Sequence, residues 1–150
     1  MQPEKNIYSE TVRPPVWLLA FIFFLLSSVA LAIWAAFDNR SGLIALFLSI
    51  AVLPLINNAM LLRISLSPSE LRVGRAHIAR TYLGLAQVLT IDEMRLSRGR
   101  NADPAAYLAL RFWQPRGVKI DIRDARDSTP YWLISSKNAK GLVEALNRAA

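Results

Sequence analysis

The sequence predicts an α+β membrane protein: an N-terminal two-helix transmembrane hairpin, then a small antiparallel β domain of about seven strands with a C-terminal helix. Three observations carry this. Two uncharged stretches, Val16 to Phe37 and Ser41 to Leu62, are separated only by Asp38, Asn39 and Arg40. Period-two alternation takes over at Arg63, and the last segment changes to a helical period.

Each apolar run is 22 residues long, about 33 Å as a helix at 1.5 Å per residue, enough to cross a hydrocarbon core of about 30 Å. Residues 1–62 are therefore assigned to an N-terminal tail and spans at about 16–37 and 41–62, and residues 63–150 to the β domain with a helix over 138–149. So short a connection makes the spans antiparallel neighbours. Lipid gives them no hydrophobic incentive to pack, so small residues should supply the contact: Ser28, Ala32 and Ala36 on the first span, Ala45 and Ser49 on the second. That face leaves homo-oligomerisation open. Trp17 and Trp34 lie near opposite ends of the first span, where aromatic rings suit the interface. Pro54, Asn57 and Asn58 interrupt the second span, and the closeness of Asn58 to Arg63 accounts for the amides by interfacial depth. Neither span holds an ionisable residue, which argues against an ion pathway or coupled transporter. Ala30-Leu31-Ala32 is compatible with a signal-peptide cleavage site, but the apolar run continues to Phe37 and a second span follows.

The net charge of +7 is unevenly placed. Up to Leu62, Lys5, Arg13 and Arg40 are balanced by Glu4, Glu10 and Asp38, so the whole excess lies in the β domain. It predicts an anionic neighbour, of which membrane lipids are the nearest. Lys5 and Arg13 precede the first span, Arg63, Arg72, Arg75 and Arg80 follow the second, and only Arg40 lies between. The positive-inside preference therefore puts both termini in the cytoplasm, with the chain crossing the cell (plasma) membrane twice. Arg63, Arg72, Arg75 and Arg80 are the candidate membrane-surface residues, each worth about 1 kcal/mol beside an anionic leaflet.

Catalytic chemistry finds little to work with. Cysteine is absent, which removes disulfides, thiolate nucleophiles and cysteine metal sites. His77 is the only histidine, so a histidine metal cluster is excluded and a triad would rest on it alone. No glycine-rich phosphate loop and no nucleophile elbow occurs. We assign no catalytic, cofactor or metal residue and expect no enzyme. The basic residues are dispersed among acids without a nucleic-acid motif, so no nucleic acid is expected either.

In the β domain, Ile64 and Leu66 alternate with polar neighbours, Ser67-Pro68-Ser69 turns the chain, and Leu71 and Val73 alternate in turn. Gly74-Arg75 makes the next turn. Further strands are expected at His77 to Tyr82, at Val88 to Leu96, at Ala106 to Phe112, at Val118 to Arg123 and at Tyr131 to Ser135. Ala106, Leu108, Leu110 and Phe112 share one apolar face, which sets Tyr107, Arg111 and Trp113 together on the other. With Arg98, Arg100 and Asp103 they form a candidate surface for a protein partner, cationic and aromatic. Asp103-Pro104 and Thr129-Pro130 read as turns, and Trp132 as a core residue. In the final helix Leu142, Ala145, Leu146 and Ala149 share a face, Ser136 can cap its start, and Glu144 and Arg148 form an i,i+4 pair. Strands followed by one helix look like a pleckstrin-homology-type domain.

The segments Gly99-Arg100-Asn101-Ala102-Asp103-Pro104-Ala105-Ala106-Tyr107-Leu108, Arg111 to Trp113, and Asp124 to Ser136 around Thr129-Pro130-Tyr131-Trp132-Leu133 resemble an actinobacterial membrane family known as domain of unknown function 3093. Phe112 and Ser128 stand where that pattern leads one to expect proline. The resemblance implies two N-terminal spans and a cytoplasmic tail, and implies no activity. The expectation is a membrane-tethered cytoplasmic binding or scaffold module for a protein partner or membrane complex. An anionic-lipid sensor is the alternative, and a membrane-associated enzyme the second.

Overall fold

The computed structural model describes residues 6–148. It divides into two compact units, Arg13–Leu61 and a second built from Leu62 onward together with the residues up to Val12.

The first unit is a pair of helices, α1 (Val16–Ala36) and α2 (Asn39–Met60), both long and apolar enough to cross a membrane. Asp38 caps α2 by accepting the Ser41 N–H at 2.9 Å. The small-residue expectation for α1 is corrected: Ser28, Ala32 and Ala36 are exposed, and Ala30, 3% exposed, takes the seam with Leu26 and Ile33 less exposed beside it. Positions 26, 30 and 33 follow a single helical face, whereas a strict four-residue step drifts around the helix. On α2 the seam does include Ser49, together with Gly42. A Cβ on Gly42 would lie 2.5 Å from Trp34 Cγ, so only glycine lets the indole approach.

Among the described residues the second unit holds two four-stranded sheets and two α-helices. The first sheet runs in the order β1 (Tyr8–Val12), β2 (Leu62–Leu66), β3 (Glu70–Val73), β4 (Ala76–Ala79), all antiparallel. A 3-10 turn at Arg80–Tyr82 leads into β5 (Leu83–Leu89). The second sheet runs β5, β7 (Gly117–Ile122), β8 (Tyr131–Ser135), β6 (Tyr107–Ala109), with β6 parallel to β8. Helix α3 (Ile91–Arg98) follows β5, and α4 (Ala139–Arg148) closes the described chain.

Period-two alternation explains the first sheet. Val12, Leu62, Ile64, Leu66, Leu71, Val73 and Ile78 enter the main core, where Val118, Ile120, Trp132 and Ile134 of the second sheet and Leu142 and Leu146 of α4 meet them. A second cluster of Leu89, Met94, Tyr131 and Leu133 lies on the opposite face of the second sheet, where α3 supplies Met94. Every residue of β8 is therefore buried, Trp132 and Ile134 toward one core and Tyr131 and Leu133 toward the other.

Three expectations change. The strand count rises, because residues assigned to the N-terminal tail form β1 and pair with β2 from Tyr8–Leu66 to Val12–Leu62. The expected strand at Val88 to Leu96 is instead the end of β5 and α3. Thr90 accepts the Glu93 N–H while Glu93 accepts the Thr90 N–H, a capping box that favours helix. Those bonds from Thr90 hold the Glu93 carboxyl below the usual carboxylate range. At α4, Asn138 takes the capping role expected of Ser136: its side chain accepts the Gly141 N–H at 3.1 Å. The Glu144–Arg148 pair forms as expected, at 3.7 Å.

Candidate functional site

Val12 pairs with Leu62, so the two points at which the chain leaves this unit for α1 and returns from α2 form a single rung of the ladder. The β3–β4 turn lies at the same end of the sheet, because the Gly74 N–H donates to Arg63 O at 2.8 Å. Gly74 sits at φ +62°, a left-handed conformation that the tight turn requires. Arg63 on β2 and Arg75 in that turn are thus neighbours and both exposed. Arg72 lies farther along the same outer face, opposite His77 and paired with Glu70. Arg80 departs from the other three: it is partly buried and donates to Leu146 O at 3.2 Å, at the end of α4. It borders a cleft of ≈ 340 Å³ floored by Ala86, Ile120 and Leu146.

On the inner face of β1, Glu10 stands opposite Ile64 and reaches the start of α4. Its carboxylate accepts the Ser136 hydroxyl at 2.6 Å, the Lys137 N–H, and the Tyr8 hydroxyl at 2.8 Å. Burial pushes the Tyr8 phenol up from its ordinary value, and Glu10 pushes it further. Sequence reading missed Glu10; a lone acid flanked by Tyr8 and Val12 at period two was the available signal.

The orientation expected for the segment after Ala106 holds only in part: Ala106 and Leu110 pack against the second cluster, but the other face is not exposed. Tyr107 and Trp113 turn inward and pack against the main core, while Leu108, 43% exposed, and Phe112, 64% exposed, face solvent. The parallel pairing with β8 sets this, since Tyr107 opposite Trp132 brings their rings to 4.7 Å and the Tyr107 hydroxyl donates to Val73 O at 3.3 Å. Arg111 lies 6.0 Å from the Trp113 ring centre, and its backbone N–H donates to Ser135 Oγ at 2.9 Å. Asp103 is tied down at both ends: its N–H donates to the Tyr131 hydroxyl at 3.0 Å, and its carboxylate accepts the Ala105 N–H at 2.8 Å. Arg98 at the end of α3, and Arg100 and Asp103 on the loop after it, are exposed, whereas Tyr107, Arg111 and Trp113 are partly buried beyond it. The six residues therefore do not form one exposed aromatic and basic face.

Among the described residues no three histidine, aspartate or glutamate side chains converge as metal ligands would. The exposed features of this unit are an arginine-bearing sheet end, the loop after α3, and two apolar side chains on the β6 side. No curated protein and no solved structure matches the chain. A family model matches residues 7–146, reaching from β1 to the last turns of α4, and the chain belongs to that family, the protein family of unknown function DUF3093.

Proposed function

We propose that this protein is a membrane-tethered binding module, with two spans in the plasma membrane, both termini in the cytoplasm, and the β unit engaging a protein partner or membrane complex. The observation that carries the reading is the β1–β2 ladder, because strands that flank a two-span hairpin meet only if both ends of the hairpin emerge on one side of the bilayer. Arg63 and Arg75 at that end favour the cytoplasmic side. Strand order ending in a helix that packs on the second sheet favours a pleckstrin-homology-like reading of the unit.

The partner surface in this reading is the end of α3 with Arg98 and the loop after it with Arg100 and Asp103, presented on a stiff base by the Tyr131 bond to the loop backbone. Confinement to the membrane raises the effective concentration, so weak contacts suffice and no catalytic turnover is needed. The test is crosslinking mass spectrometry on the full chain in gently solubilised membranes. Crosslinks from the 98–105 loop to a second protein, lost in Arg98→Glu/Arg100→Glu, are expected; a chain recovered only with itself contradicts the reading.

A second reading, anionic-lipid sensing, is favoured by Arg63, Arg72 and Arg75 sharing the exposed side of the first sheet. It predicts slower amide exchange over residues 63–75 in nanodiscs with phosphatidylglycerol than in neutral ones. Equal exchange in both discards it.

A further inference from the structure

The two sheets cross in a way that gives the β6 edge a particular place. Glu10, Ile64 and Val73 form one row across β1, β2 and β3, two residue pairs further in than the Val12–Leu62 rung. The second sheet touches both ends of that row. Tyr107, paired with Trp132, reaches Val73 O, while Ser136, next after β8, donates to Glu10. Strand β8 therefore runs across the first sheet along this row, and its neighbour β6 is the outermost strand of the second sheet there. Glu10 is two residues from Val12, roughly 7 Å of strand.

The loop after β6 is fixed to the same corner. Ser135 Oγ accepts the Arg111 N–H and donates to Gln114 O, Gln114 Nε2 donates to Ser136 O at 2.9 Å, and the Ser136 N–H donates to Arg116 O at 3.1 Å. This framework fixes the loop from which Phe112 projects, with exposed cations Arg116 and Lys137 at the same corner, while the pairing of β6 with β8 leaves Leu108 exposed farther along that edge. An exposed aromatic ring on a braced loop with cations beside it has the composition of an interfacial anchor.

We propose that the β6 edge and its loop form a membrane-docking surface, with Phe112 and Leu108 entering the interface of an anionic bilayer and Arg116 and Lys137 engaging its headgroups. The occupant follows from continuity: the rung from which the chain enters the apolar helices is two residue pairs from the row that carries this edge. The opposite edge, β5, lies three strand spacings away, roughly 14 Å. The proposal rests on the membrane-spanning reading.

The absence of cysteine makes the test direct. The full chain is reconstituted in vesicles of phosphatidylcholine and phosphatidylglycerol with an environment-sensitive dye on a single cysteine, introduced as Phe112→Cys, Leu108→Cys, Gln87→Cys or Leu48→Cys. Shallow doxyl lipid should quench the dye at 112 and 108 about twofold or more, as for a side chain buried roughly 5–10 Å in the headgroup region. Gln87 on β5 should stay unquenched, and Leu48 in α2 should be quenched by deep doxyl lipid. Quenching at 48 with none at 108 and 112 overturns the docking surface and leaves the spans standing. No quenching at 48 overturns the spanning reading and this proposal with it. Equal quenching at 87 and 112 also overturns it, since the domain would then have no preferred edge toward the bilayer.

Discussion

The carboxylate of Glu10, ahead of the first apolar helix, accepts a hydrogen bond from the hydroxyl of Ser136, 126 residues later, at 2.6 Å. The same carboxylate accepts the Lys137 N–H, so the first strand and the start of the last helix are clasped by one acid. Hydrogen bonds to a charged group contribute about 1.5–3 kcal/mol each, and their loss leaves partly buried donors unpaired. Glu10→Ala is therefore expected to cost roughly 2–4 kcal/mol and to speed amide exchange at both β1 and Lys137. Ser136→Ala, which removes one donor, should cost about 1 kcal/mol. Thermal unfolding and hydrogen exchange on the full chain read both.

Gly117 and Gly74 should respond differently to the same substitution. A Cβ on Gly117 would lie 2.1 Å from Ile134 O, a backbone atom of β8 that cannot withdraw without breaking the ladder. Gly117→Ala is expected to cost about 2–3 kcal/mol by overpacking. A Cβ on Gly74 meets only the Leu62 side chain at 3.5 Å, but the left-handed backbone at φ +62° disfavours it. Gly74→Ala should cost about 1 kcal/mol. Chemical denaturation in matched nanodiscs separates the two.

Trp132 joins the sheets through its ring contact with Tyr107 and its place in the main core. Trp132→Ala should destabilise the β unit by about 3–5 kcal/mol, whereas Phe112→Ala, at an exposed position, should shift stability by less than about 0.5 kcal/mol. Near-ultraviolet circular dichroism during melting distinguishes these outcomes.

The capping box at α3 gives a pH dependence with a definite sign. Bonds from Thr90 depress the folded-state pKa of Glu93, so its contribution is present above the unfolded pKa and lost as pH falls through the folded value. Thr90 amide exchange should accelerate below the usual carboxylate range, and Glu93→Gln should remove that acid-dependent step. Nuclear magnetic resonance of the full chain in nanodiscs follows the carboxyl and the amide together.

The sequence discloses those parts of the fold whose residues report their own environment. Ile64, Leu66, Leu71 and Val73 alternate without interruption, and β2 and β3 lie where the alternation puts them. Strand β1 was hidden because its partner lies beyond the whole hairpin and Glu10 occupies the inward position between Tyr8 and Val12, where an apolar residue would have marked a strand. Leu89, Ile91, Met94 and Leu96 fit strand and helix periods poorly enough that only Thr90 and Glu93, three residues apart, reveal the helix start. The facing of β6 was misread for a different reason. A second sheet buried on both faces lets Tyr107 and Trp113 enter the main core while Leu108 and Phe112 remain outside, so apolarity does not mark the inner side. The exposure of Arg63, Arg72 and Arg75 was legible from their alternation with apolar neighbours, but the diversion of Arg80 to Leu146 O depends on the fold of α4.

The central claim is that residues on both sides of the hairpin build one sheet, and Thr11 opposite Arg63 tests it most directly. In a chain with Thr11→Cys/Arg63→Cys and a protease site placed between Asp38 and Asn39, oxidation followed by cleavage should leave the two halves joined on a non-reducing gel and separate on reduction. Halves that separate without reductant, as in a Thr11→Cys/Gln87→Cys control, would contradict the β1–β2 ladder and the one-sided topology drawn from it.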